Sequence, residues 1–219
     1  MNQPKQNVEL VSYTPEGDLL VVNAARCSFD KEHRVFDEEK DARLINYLAK
    51  HKHVLPFRHP SVTLRLDMPI FVARQLGKHQ VGFSWSEVSR RYVKSEPEFY
   101  YFDALRPAAD NVKQGSQDVE HPENFTLNSA IKSIEATALE TYNLLLERGV
   151  CAEQARAVLP QSMFTTTVTT GTLLGWYHLY QQRTDPHTQI ETREYAEDIG
   201  AILEELYPYS WRALCEHRL

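Results

Sequence analysis

The sequence predicts an α/β (α+β) fold with a mixed sheet and long helices in one domain, residues 1–219. Three observations predict it. β-branched and alternating stretches are interspersed with long helical periodicities, no internal repeat is present, and no Pro/Gly/Ser-rich linker divides the chain. The 219 residues are 42% hydrophobic, and a fold of this size buries about 70% of the surface its unfolded chain exposes. A core can carry it without disulfide or metal staples.

Residues 8–13 and 19–24 are β-rich, and Pro15-Glu16-Gly17-Asp18 between them has the composition of a turn. Over 37–50, Ala42, Ile45 and Leu48 recur on one face, which predicts a helix. A His-rich loop at 51–60 precedes 62–67, whose alternation predicts a strand. Pro69 then opens a helix over 70–79, because a proline in the first turn loses an N–H that the helix does not use. Residues 84–101 are extended in part, and 106–123 form an exposed connection. The clearest helix spans 123–148: Leu127, Ala130, Ile131, Ile134, Ala138, Tyr142, Leu145 and Leu146 point inward, and Gly149 suits the stop. A short helix over 152–159 ends before Pro160. A β-branched strand at 163–170, an apolar and aromatic helix at 172–182 and a last helix at 188–206 complete the chain.

Charge and cysteine content exclude whole classes of function. A net charge of −6 argues against wrapping a nucleic-acid polymer. No apolar run approaches the roughly 18 residues of a membrane span, and the amino terminus lacks a signal-peptide pattern, so a cytoplasmic protein with no membrane partner is expected. Cys27, Cys151 and Cys215 are widely spaced and read as reduced thiols. His51, His53 and His59 have Lys52, Pro56 and Arg58 among them, without regular ligand geometry or an added carboxylate, so no metal is expected. The absence of G-x-G and of G-K-[ST] excludes a Rossmann fingerprint and a P-loop.

The chemistry concentrates in residues 74–92, RQLGKHQVGFSWSEVSRRY. Cations accompanied by Ser, Glu and Gln suit an anion attached to a hydrogen-bonding base. Ser89 lies among arginines, which stabilise anions but do not remove a proton, so binding is favoured over nucleophilic attack. A second locus is 182–189, where Arg183 ends one helix and His187 precedes the next. Arg156 is a third, one charge in an apolar turn that must meet an anion if it points inward.

Residues 74–92 resemble the signature of the flavin-dependent thymidylate synthases, Arg-His-Arg, seven residues, then Ser, with Arg and Tyr following. The resemblance extends to residues 23–29, 53–59, 69–75, 156–160 and 183–191, in order and over most of the chain. It implies one catalytic domain in a homotetramer that binds FAD and deoxyuridine monophosphate (dUMP). The implied reaction is methyl transfer giving thymidylate, with 5,10-methylenetetrahydrofolate as carbon donor and NAD(P)H, NADPH in the family, as reductant. It further implies that Gln75, Lys78, Glu87, Ser89, Arg90, Arg91, Arg156 and Arg183 hold the nucleotide, with Arg183 activating the uracil ring. Leu55, Lys78, His79, Gln80, Glu87, Thr172, His178 and His187 would hold FAD. Lys78 and Gln80 replace the arginines around His79, and one extra residue separates Gln80 from Ser89. Leu55 and Arg58 stand where Ser or Thr and Glu are expected, and Thr172, Leu174 and His178 where Asn, Arg and Asn are expected. These departures fall mainly on the flavin side. Two rival readings follow: an enzyme of the same kind that makes another 5-substituted dUMP, and a non-catalytic nucleotide-binding homologue.

Overall fold

The alternating apolar residues of 61–69 form the second strand of a four-stranded sheet in a computed structural model that describes residues 7–93, 95–110 and 115–218. The elements run β1 (Asn7–Tyr13), α1 (Gly17–Arg26), α2 (Lys40–Lys50), β2 (Ser61–Pro69), α3 (Ile70–Leu76) and β3 (Phe83–Glu87). They continue as α4 (Asn124–Glu147), α5 (Ala152–Ala155), β4 (Phe164–Thr172), α6 (Leu173–Arg183), α7 (Ile190–Leu206) and α8 (Pro208–His217). The α/β expectation holds. Strand order is β1-β2-β4-β3, and the pairing is antiparallel throughout instead of mixed as expected, because alternation along a strand marks its buried face but not the direction of its neighbour. Thr14 N–H donates to Ser61 O, the hydroxyls of Thr63 and Thr170 meet at 2.9 Å, Thr166 donates to Asp67, and Val88 and Thr172 N–H donate to Thr166 and Gly82 O.

The chain forms two compact units, and β2 and β4 contribute residues to both. The first comprises 67–75 and 87–167 with the described Asn7. Met68, Val72, Tyr142, Ala155 and Met163 are its buried apolar residues. Phe71 stacks on Phe102 at 5.8 Å, and Tyr100 meets Phe102 edge-on at 5.0 Å, a favoured aromatic geometry. Most of the face of α4 expected inside is not buried: Tyr142 is, but Ile134 is 64% exposed and Leu127 is also exposed. The periodicity locates the helix correctly. It cannot say whether the apolar stripe is covered by the same chain. Of the expected connection, residues 111–114 lie outside the described residues.

The second unit, 8–66, 76–86 and 168–218, has the larger core. Helix α2 packs on α8, and α6 on α7. Leu173, Leu174, Trp176, Tyr177 and Leu179 of α6 are all buried, and the Trp176 indole N–H donates to Val62 O at 3.1 Å. Residues 19–24 are helical, contrary to the strand expectation. A short apolar run carries no period that separates a buried strand from a buried helix. Here Glu16 turns the chain at φ 53°, Leu19, Val21 and Val22 are buried, and Asp18 accepts the Tyr209 and Ser210 N–H groups at the start of α8. Helix α3 stops at Leu76, three residues earlier than expected, where Gly77 and a turn bond from His79 N–H to Leu76 O end it. Helix α8 extends the fold beyond the sequence reading, with Pro208 in its first turn.

Replacing Trp176 by Ala is expected to cost about 3–5 kcal/mol, whereas Trp176→Phe keeps most of the volume and costs about 1 kcal/mol for the lost hydrogen bond. Urea unfolding midpoints for the two variants check both values.

Candidate active site

The residues expected at the site distribute between the units. Gln75, Glu87, Ser89, Arg90, Arg91 and Arg156 belong to the first unit; Leu55, Lys78, His79, Gln80, Thr172, His178, Arg183 and His187 belong to the second. The expected nucleotide residues are therefore mostly in one unit, and all the expected flavin residues except Glu87 are in the other.

In the first unit, β3 ends at Glu87, and Val88 N–H still pairs with Thr166 O before the chain turns. The Thr165 hydroxyl donates to the Glu87 carboxylate at 2.8 Å, fixing that side chain. The next turn is built on Ser89, whose carbonyl accepts from Tyr92 and Val93 N–H and whose Oγ accepts from Arg91 N–H and Nε, each at 3.3 Å. Arg90 donates to Ser95 O, and Arg91 lies 3.6 Å from Glu153. The Arg91 guanidinium is thereby held at the Ser89 hydroxyl, and that of Arg90 at the Ser95 carbonyl. Arg156 follows α5 in a 3-10 turn and is exposed, so it does not need an internal anion. It makes no ion pair or side-chain hydrogen bond among the described residues and is open to an anion from solution. Gln75 is half-buried near the end of α3.

In the second unit, the segment after α3 bends through Gly77 and Gly82. Gln80 Nε2 donates to Gly77 O at 2.5 Å, and the Trp85 indole donates to His79 O at 3.0 Å. The His79 ring accepts at Nε2 from Arg183 Nε at 3.1 Å. Burial, then the nearby Arg183 and His178, push His79 from 6.5 down to about 4. The imidazole is therefore neutral at physiological pH, its Nε2 is an acceptor and its proton sits on Nδ1. Burial also lowers the Arg183 pKa, but the group remains a cation. Lys78 is exposed with no ion pair or side-chain hydrogen bond among the described residues.

Thr172 caps α6: its hydroxyl accepts from Gly175 N–H at 3.0 Å. Asn and Thr are both good caps, so Thr at a position where the resembled family has Asn preserves the helix start. Gly82 crosses beneath it at φ 80°, and a Cβ there would stand 2.7 Å from the Thr172 hydroxyl. Along α6, His178 is the exposed position within an otherwise buried stretch, and burial and Arg58 lower its pKa. Leu55 is exposed at the start of a 3-10 turn whose next residues, Pro56 and Phe57, are buried.

His187 is exposed in the loop between α6 and α7. Asp185 accepts its N–H at 2.8 Å, and Arg193 Nη2 donates to the carbonyls on either side of it, Pro186 O at 2.7 Å and Thr188 O at 3.1 Å. Arg193 thus fixes the loop, a role that sequence reading missed; an Arg in the first turn of α7, a few residues beyond the loop, was the available signal. A cavity of about 450 Å³ on another face of α6, lined by Tyr177, Tyr180, Thr184, Asp185 and Cys215, contains none of the expected site residues. Burial pushes the Cys215 thiol up to about 11, which makes it a poor nucleophile. Among the described residues there is no cluster of His, Cys, Asp or Glu fit to hold a metal ion, and no helix long and apolar enough to cross a membrane.

Each unit offers groups suited to an anion: a serine turn with arginines in the first, and a guanidinium held by a neutral imidazole in the second. A family model described as thymidylate synthase complementing protein matches residues 9–209. A flavin-dependent thymidylate synthase of Thermus thermophilus is 36% identical over 202 residues, covering 92% of this chain and 73% of that protein. The Thermotoga neapolitana protein of the same description is 37% identical over 213 residues, covering 96% and 91%. A crystal structure of the UMP/dUMP methylase PolB from Streptomyces cacaoi, bound with 5-Br dUMP, superposes with a TM-score of 0.87 at 30% identity, covering 98% and 96%. The chain belongs to the flavin-dependent thymidylate synthase family, and it is a methyltransferase-type enzyme.

The depressed His79 pKa sets a pH dependence. Unfolded His79 titrates near 6.5 and folded His79 near 4, so between these values the unfolded chain binds the extra proton. The stability contributed by neutral His79 is complete above pH 6.5 and is lost as pH falls toward 4. Denaturant unfolding across roughly pH 7 to 4 is expected to show this loss, and His79→Gln to show a smaller one.

Proposed function

We propose that the chain is a flavin-dependent thymidylate synthase that converts dUMP to dTMP, with carbon from 5,10-methylenetetrahydrofolate and hydride from NAD(P)H by way of FAD. The family match over residues 9–209, which runs through both units, supports treating residues 1–219 as one catalytic domain. The observation that carries the reading is Arg183, a half-buried cation whose orientation is fixed by a neutral partner.

Arg183 places positive charge where attack on the uracil ring develops negative charge. A preorganised cation in a partly dehydrated site commonly lowers such a barrier by several kcal/mol. Arg90, Arg91 and Arg156 supply phosphate-binding charge, Ser89 a hydroxyl, and Gln75 and Glu87 hydrogen-bonding groups for the nucleotide. Lys78, in the other unit, belongs to the same proposed set. No enzyme nucleophile is required, in keeping with the raised Cys215 pKa.

The second unit's residues fit a flavin. His178 and His187 are solvent-facing imidazoles able to donate and accept along a heteroaromatic edge. Lys78 offers an uncommitted cation for a pyrophosphate. His79 keeps Nδ1–H, Gln80 is exposed beside it, Leu55 provides an exposed apolar contact, and Thr172 holds the start of the helix that carries His178. Flavin bound there supplies the hydride chemistry of the reduction.

A second reading is favoured by the likeness to a UMP/dUMP methylase: the chain also accepts UMP. Self-association as a homotetramer is supported by α4, where Phe125 is 85% and Ile134 64% exposed, apolar surface of the kind that marks interfaces.

The purified protein is expected to bind FAD, seen in its visible spectrum, and to turn dUMP and labelled methylenetetrahydrofolate into a product of thymidylate mass. Absence of FAD uptake, or a heavier product, would overturn the reading. UMP in parallel tests the second reading. Arg183→Ala is expected to abolish turnover, a loss of roughly a hundredfold or more, while sparing flavin absorbance. Ile134→Glu is expected to lower the solution mass measured by light scattering.

A further inference from the structure

We propose that His79 is a positioning residue for Arg183: its unprotonated Nε2 accepts the Arg183 Nε–H and fixes the direction in which the guanidinium plane faces. This deepens the reading of Arg183 as the activating residue and rests on it.

The geometry is a single hydrogen bond of 3.1 Å between residues 104 positions apart. Nε is the guanidinium nitrogen nearest the side-chain stem, so a bond there restrains rotation of the whole fork. His79 is itself anchored: its N–H donates to Leu76 O, and its carbonyl accepts from the Trp85 indole. The ring is held by the segment between α3 and β3, whereas the guanidinium comes from the last turn of α6. Each depends on a different stretch of chain for its place.

The chemical identity of the acceptor matters. A carboxylate would orient Arg183 equally well, but it would cancel much of the positive charge that a developing anion needs, since opposite charges in contact attract strongly where water is scarce. A neutral imidazole orients the cation and leaves its charge available. This demands that His79 stay unprotonated. The charged and titratable groups that act on it are Arg183 and His178, both from α6, and both oppose a proton on His79; Arg58 in turn lowers the pKa of His178. Protonated His79 would lose its acceptor and face a cation at hydrogen-bond distance, so its restraint on Arg183 Nε would be lost.

Two variants separate the ring's nitrogens. His79→Gln places an oxygen near the position of Nε2, and His79→Asn places one near Nδ1. Orientation of Arg183 through Nε2 predicts that Gln lowers kcat by less than about tenfold and Asn by about a hundredfold, the scale on which a displacement of about 1 Å acts. FAD dissociation constants measured by titration are expected to change by a similar factor in both variants. The native chain is expected to show a low-pH limb in its kcat profile, and this limb should disappear in His79→Gln. Melting temperatures identify any variant that fails to fold. Nitrogen-15 NMR of the histidine rings in the protein without substrate decides the matter independently of turnover. It should show His79 protonated at Nδ1 and unprotonated at Nε2 at about pH 7, with the Nε2 signal shifting in Arg183→Ala. Equal losses of kcat in Gln and Asn, or an Nε2–H tautomer, would overturn the proposal. If no thymidylate forms but the NMR result holds, the reading of Arg183 as activator fails and its positioning by His79 stands.

Discussion

The antiparallel pairing of β2 with β4 is the constraint on which the rest depends. Both strands pass into helices without a loop, Pro69 into Ile70 and Thr172 into Leu173. Any error in their register would therefore be transmitted to α3 and α6, which introduce the functional segments. Two polar pairs on one face define that register, Thr63 with Thr170 and Asp67 with Thr166. On the other face Val62, Leu64, Leu66 and Met68 of β2 and Thr165, Thr167 and Thr169 of β4 are buried. A slip of one residue would exchange the faces, exposing the leucines and burying Arg65 and Asp67, so burial and polar pairing enforce the same alignment.

The residues proposed for binding and activation fall into two electrostatic regimes. Arg156 and Lys78 are exposed cations, screened by water, and suited to attracting and exchanging a phosphate. Arg183 is partly dehydrated, so its charge acts at short range and with less screening, at the cost of desolvation that lowers its pKa. A protein of net charge −6 can hold both because many of its acidic residues are engaged or solvated away from these cations: Asp41 pairs with the half-buried Arg26, and the exposed Glu39 with Arg43.

Most of the fold was legible where periodicity was long or alternation strict, as in β2, α4 and α7. It was less legible where local signals conflict. The Leu-Leu-Val-Val run of α1 has strand propensity, but packing and the Asp18 link to α8 make it helical. Helix α8 follows a Tyr-Pro-Tyr stretch that reads locally as an ending, and only the burial of Trp211 and Leu214 shows why the chain continues. Among site residues, the cationic segment and Arg183 were recognisable from composition and motif. The bond between His79 and Arg183 was not, because a hydrogen bond across 104 residues leaves no mark on local sequence. Nor was the role of Arg193, whose carbonyl partners become visible only once the loop around His187 is folded.

The contact between Gly82 and Thr172 implies an asymmetry in how the two positions can evolve. Position 172 needs only a short side chain with an oxygen to cap α6, so Thr, Ser, Asn and Asp form a network of neighbouring solutions through which a lineage can drift. Position 82 has no such neighbours, since its left-handed backbone and the overlying hydroxyl each penalise a Cβ. Variation at 172 can therefore accumulate without a compensating change, whereas escape from glycine at 82 would require the turn and the helix cap to be rebuilt together.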